Sequence, residues 1–130
     1  MNEHEMQAAV DQLVKDMLDK GLRKPRAMAW IESGKQPCAF LRSGEYGEPA
    51  HLAYSKFAPT VAEALDAARA IIAAMPDAET TRLNNFMGAL GKVIDLGRDL
   101  GVDVDFINPL TATMKRLSEN VITDQRGKGV

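Results

Sequence analysis

The chain has 130 residues, 45% hydrophobic and 26% charged, with a net charge of −2 and one cysteine. This length suits a single domain with a sizeable buried core. One cysteine excludes an internal disulfide framework, and no run of 18 apolar residues is present to make a transmembrane helix.

The N-terminal stretch, with Glu3 and Glu5, lacks the basic-then-apolar order of a signal peptide. A reducing cytoplasm is the expected location. Residues 3–20 follow a helical period through Met6, Val10, Leu13, Val14, Met17 and Leu18. Gly21 stands where a left-handed cap belongs, with Leu22 as its hydrophobic contact. Lys20, Arg23, Lys24 and Arg26 then cluster around Pro25, which favours extended backbone.

Ala27–Ser33, Cys38–Ser43 and Ala50–Phe57 read as three strands. The turns Gly34-Lys-Gln-Pro37 and Gly44-Glu-Tyr-Gly-Glu-Pro49 join them into a meander. Alternation assigns Met28, Trp30, Phe40, Leu52 and Tyr54 to one face, with Glu32, Arg42 and Lys56 at its ends. The other face receives Ala27, Ala29, Ile31, Ala39, Leu41, Ala53 and Phe57. Neither face is plainly polar, so either both are covered or one carries function.

Thr60–Met75 is the organising helix. Thr60 and Glu63 have capping-box spacing, and Val61, Leu65, Ala68, Ile72 and Met75 form its apolar stripe. Its many alanines allow a sheet or a second helix to approach closely, and Pro76 ends it. A second long helix is expected over about Glu79–Leu100, capped by Asp77 or Thr80 and ended by Gly101. Gly88, Gly91 and Gly97 within it imply close packing against another backbone, or a kink.

Val102–Ile107 alternates as a short strand or extended connector does. Asn108 and Pro109 suit a helix start, and the last helix is expected to run to about Ile122. Thr123–Val130 has no apolar pattern and is expected to be a disordered tail. The expected fold class is therefore α+β, a three-stranded antiparallel meander packed by helices in the order α-β-β-β-α-α-(β)-α. Residues 1–122 would form the one domain.

The first five elements match the order of a double-stranded-RNA-binding domain. That family meets phosphates with lysines at the start of its last helix. The corresponding stretch here is Thr60-Val-Ala-Glu63, so the resemblance ends at element order. The run Phe106-Ile-Asn-Pro-Leu-Thr-Ala-Thr-Met-Lys-Arg-Leu-Ser-Glu-Asn120 resembles small uncharacterised proteins of bacterial prophages. It implies a bacterial or phage setting and no particular activity.

Charge is unevenly placed. Residues 20–56 hold seven bases and three acids, net +4, while residues 1–19 and 57–108 are each −4. The sheet segment is thus basic between acidic helices. Trp30, Phe40 and Tyr54 with Arg42 and Lys56, flanked by Arg23, Lys24 and Arg26, match a single-stranded nucleic-acid platform. Aromatics there stack on bases while cations follow phosphates. The alternative is that these aromatics are core.

No metal-ligand spacing links His4, His51 and Cys38, and alternation puts Cys38 and His51 on opposite faces. Asp95, Asp99, Asp103 and Asp105 fit no calcium loop and read as a solvated face. Gly88-Ala-Leu-Gly-Lys92 lacks the spacing and the preceding strand of a phosphate loop. No cofactor or metal is expected, and an enzyme is the least favoured class. Leu110, Met114, Leu117 and Val121 form a narrow stripe that suits a partner helix, so a homodimer is expected. The expected function is a non-enzymatic interaction protein with an unidentified protein partner; the alternative is a nucleic-acid-binding protein.

Overall fold

The computed structural model describes the backbone of residues 1–48 and 50–128, and the side chains of residues 1–48 and 50–119. The chain is α+β. Its elements are α1 (Glu3–Asp19), β1 (Arg26–Trp30), β2 (Cys38–Ser43), β3 (Leu52–Phe57), α2 (Val61–Ala73), α3 (Ala78–Asp99) and α4 (Val104–Lys128). It forms two compact units, Met1–Thr81 and Arg82–Val130, with the boundary inside α3.

In the first unit the local signals are realised almost residue by residue. The Glu5 amide donates to the Asn2 side chain at 2.8 Å and starts α1. At its end Gly21 takes a φ of 76°. The Gly21 amide donates to the Leu18 carbonyl and the Leu22 amide to the Met17 carbonyl, at 2.9 and 3.1 Å. These are the paired bonds of a Schellman cap, and Leu22 is buried beneath it. The Glu63 amide donates to the Thr60 hydroxyl at 3.2 Å and starts α2. Lys20 reaches the other end of α2, where its ammonium donates to the Met75 carbonyl at 3.0 Å. A cation there complements the helix dipole.

The sheet has strand order β1-β2-β3 and is antiparallel throughout. Residues directly opposite share a face. Ala27 pairs with Leu41, Ala29 with Ala39, Leu41 with Tyr54 and Ser43 with Leu52. Helices α1 and α2 cover this side. Leu13, Met17, Leu22, Ala39, Leu41, Ala64, Leu65, Ala68 and Ile72 make one buried cluster, with Ala27, Ala29 and Leu52 packed against it. Each large member contributes about 1.5–3 kcal/mol through the apolar area it removes from water.

The register corrects the expected faces of β3. Leu52, Tyr54 and Lys56 lie on the covered side, and Ala53, Ser55 and Phe57 lie with Met28, Trp30 and Phe40. A one-residue difference in register inverts every side chain along a strand. Strand β1 also ends at Trp30, three residues earlier than its apolar pattern suggests, and leaves Ile31 exposed.

The second unit is an antiparallel helical hairpin. A Cβ on Gly97 would meet the Ile107 side chain, and one on Gly91 would meet Met114 at 3.6 Å. The Ser118 hydroxyl lies 3.7 Å from the Met87 sulfur. Two of the interior glycines therefore mark close helix approach, and α3 runs unbroken past them. Its cap is Asp77, whose carboxylate accepts from the Thr80 amide at 2.9 Å.

Val102–Ile107 is not a strand, and only Val102 and Asp103 remain as connector. Helix α4 begins at Val104, and Pro109 sits inside it. The start moves forward because Asp103 caps it. Its carboxylate accepts from the Asp105 amide at 2.9 Å, and its carbonyl accepts from Phe106 and Ile107. Helical backbone at this point buries Ile107 against Gly97, which a strand would not do. Helix α4 runs to Lys128, past the end expected near Ile122, and the side chains of residues 120–130 lie outside the described residues.

Urea unfolding should separate the roles of three residues. Leu65→Ala should lower stability by about 2–5 kcal/mol, because it empties the buried cluster. Gly21→Ala should destabilise by about 1 kcal/mol or more, since its Cβ would stand 2.9 Å from the Ala78 carbonyl oxygen in a left-handed conformation. Gly91→Ala should be neutral or stabilise by up to about 1 kcal/mol, because the space exists and alanine favours helix.

Candidate functional site

The sheet side away from α1 and α2 has no helix packed on it from within the first unit. Three cross-strand rows define it. The first is Arg26, Arg42 and Ala53, the second Met28, Phe40 and Ser55, and the third Trp30, Cys38 and Phe57. Met28 and Phe57 are more than half exposed and Trp30 is 36% exposed. Trp30 and Phe40 lean together, with ring centroids 6.2 Å apart and planes tilted by 49°. Cys38 stands between Trp30 and Phe57 in the third row and is buried.

This arrangement joins Arg26, Trp30, Phe40 and Arg42 of the expected platform on one surface. It removes Tyr54 and Lys56, which lie on the other side by register. Tyr54 is nonetheless 40% exposed, because β3 is an edge strand. Phe57 takes the place of Tyr54, beside Met28, which alternation also puts on this face. Phe57 is legible in the sequence as an apolar strand end, but the strand parity hides its side.

Arg26 and Arg42 are direct cross-strand neighbours of like charge. Such a pair is unfavourable unless an anion joins it. Around this end Arg42 stands 3.9 Å and Lys24 3.5 Å from Glu45, and Arg23 stands 3.8 Å from Glu48. These contacts are long and each has at least one exposed partner, so they neutralise little. Among the described residues Arg26 has no ion pair. Arg23 also has a backbone task, since its carbonyl accepts from the Ser43 hydroxyl at 2.9 Å and the Gly44 amide at 2.8 Å. Lys24 takes a left-handed φ of 48°, the one non-glycine residue to do so among those described.

Catalytic geometry does not gather around the remaining candidates. Cys38 pairs with Phe57 at one end of β2, while His51 lies beyond the Ser43–Leu52 pair at the other. That is roughly 17 Å along a strand, too far for a nucleophile and its base. His51 instead meets the edge of Tyr46, centroids 5.8 Å apart. Asp103 of the acidic run is engaged as the α4 cap. Among the described residues no group of three or more His, Cys, Asp or Glu could hold a metal ion. A surface depression of about 280 Å³ between α1 and β1 is lined by Met6, Gln7, Val10, Ala27, Met28 and Ala29. Gln7 is its one hydrogen-bonding side chain, and a catalytic pocket needs several that converge.

In the second unit Leu110, Met114 and Leu117 are half-buried, and Met114 faces Gly91 of α3. Val121 lies outside the described side chains. No helix among the described residues is long and apolar enough to cross a membrane.

No protein-family model, no curated protein and no solved structure matches the chain.

Burial predicts how Cys38 behaves. A small thiol reagent should leave the native protein unmodified over hours and label it within minutes in denaturant. Rapid labelling of the native protein would show that the third row is not seated as described.

Proposed function

We propose that the protein is a non-enzymatic interaction protein whose open sheet face binds a macromolecular partner. The carrying observation is the side-chain content of that face. Met28, Trp30, Phe40 and Phe57 lie together with Arg26 and Arg42 on a surface that no helix of the first unit covers. Tryptophan, methionine, phenylalanine and arginine are the residue types enriched where proteins meet, and tryptophan and arginine dominate binding hot spots. An aromatic patch rimmed by polar groups is a costly surface to leave wet without a use. The resemblance of residues 106–120 to prophage proteins supports a bacterial or phage setting for this partner, and the single cysteine fits a reducing cytoplasm.

One observation favours a second reading, a single-stranded nucleic acid. The like-charged Arg26–Arg42 pair borders the aromatic rows, an arrangement that suits a backbone phosphate beside stacked bases.

The two readings separate in one experiment. Immobilised protein is exposed to bacterial lysate with and without nuclease, and purified protein is titrated with single-stranded DNA and RNA while Trp30 emission is followed. A protein partner should be retained by the native chain, survive nuclease and higher salt, and be lost with Met28→Ser and Phe57→Ser. A nucleic acid should quench Trp30 and lose roughly 10- to 50-fold in affinity between about 50 and 200 mM salt. Arg26→Glu should abolish that quenching without loss of stability, since it turns a like-charge cross-strand pair into an opposite one. If neither ligand binds, or binding ignores all these substitutions, the sheet face is not the site.

A further inference from the structure

A second apolar surface runs along α3 to Leu100, the residue just past its end, and is independent of the sheet. Phe86, Ala89, Val93, Leu96 and Leu100 are spaced three, four, three and four residues apart. That is the a/d repeat of a coiled-coil seam. All five are exposed, and the four large ones are each more than half exposed.

The seam is distinct from the one that builds the hairpin. Leu83, Met87, Leu90, Ile94 and Gly97 have a similar three-four spacing and face α4, with Ile94 buried. At 3.6 residues per turn the outer seam sits about 100° round the helix from the inner one. A helix with two seams at that angle belongs in a bundle, with one neighbour on each. Helix α4 supplies one neighbour, and no other helix of the second unit stands among the described residues to supply the second.

We propose that the second neighbour is α3 of another copy of this chain, running antiparallel about a two-fold axis near residues 94 and 95. Charge complementarity selects both the occupant and the direction. Lys92 and Asp99 lie one heptad apart on the flank of the outer seam that faces away from α4. Antiparallel pairing sets Val93 against Leu96 and Ala89 against Leu100 of the second copy. It then brings Lys92 opposite Asp99 of the second copy, twice by symmetry. Parallel pairing would direct Lys92 toward Gly97 of the second copy and gains nothing. The same antiparallel register lays Phe86 over the α3–α4 turn of the second copy, where Val102 and Val104 are exposed. The product is a four-helix bundle made from two hairpins.

Sedimentation equilibrium of the full chain over a range of concentrations tests this. The native protein should be a reversible dimer. Val93→Glu and Leu96→Glu should each weaken dimerisation on the order of 100-fold, the scale of a hot-spot loss, with helical circular dichroism unchanged. Lys92→Asp, a fully surface change, should weaken it about fivefold, and adding Asp99→Lys in the same chain should restore it. A native chain that stays monomeric at high concentration overturns the proposal. So does a dimer indifferent to Val93 and Leu96, or one abolished by Met28→Ser and Phe57→Ser on the sheet. Failure of the double charge exchange to rescue would overturn the antiparallel arrangement.

Discussion

Two arginines decide which side of the sheet the helices can cover. Arg42 stands in the central strand, and Arg26 is its neighbour on β1. Packing α1 and α2 onto that side would bury both guanidinium groups without partners, a cost of several kcal/mol for each. The opposite side offers Ala27, Ala29, Ala39 and Leu41. Small side chains there let the helices come close, and Leu13, Met17, Leu65 and Ile72 fill the space between. The bulky residues of β1 and β2, Met28, Trp30 and Phe40, are left outside. The exposed aromatic face is thus a consequence of how the core is built. Fold and open surface are specified together by one alternation of alanine and large side chains.

The second unit repeats this logic with glycine. Gly91 and Gly97 bring α3 close to α4, so that Met114 and Ile107 can seat against helix backbone. Helix α3 spends one stripe on this contact. The outer stripe has the same period and remains in water. In both units one apolar face makes the monomer, and a second of comparable character stays uncovered. A sheet and a helix hairpin each bury one side readily, and the other side is where partners can be met.

Much of this is legible in the sequence because it rests on local chemistry. Gly21, Thr60 and Asp77 mark their caps by residue type and position, and each makes the expected hydrogen bond or left-handed turn. The strand order follows from two short turns, each opened by glycine and closed by proline. What escapes the sequence depends on how elements meet and where they start. In β3 a two-residue difference at Ala50 does not by itself alter parity. Alternation misassigns the faces because the loop, and not the apolar pattern, fixes which β3 residue stands opposite Phe40, and that residue is Ser55. At the α4 start, Val102–Ile107 alternates as a strand would. Burial of Ile107 against Gly97 outweighs the alternation, and Asp103 supplies the cap expected of Asn108. Pro109 then sits in the sixth position of the helix, where it forgoes one hydrogen bond and does not break it. The core and the caps can be read from spacing. The makeup of the open face cannot, since strand register is a property of the folded sheet.

Trp30 and its neighbours face solvent, while α1 and α2 cover the other side of the sheet, and both the core and the proposed binding surface depend on that division. Quenching of Trp30 by acrylamide in the free protein at low concentration tests it directly. An emission shifted to the red and strongly quenched, in a chain with native circular dichroism, is the predicted result. A blue-shifted emission protected to the level of a buried indole would place the aromatic face in the core, and would contradict both the fold described for the sheet and the function proposed for it.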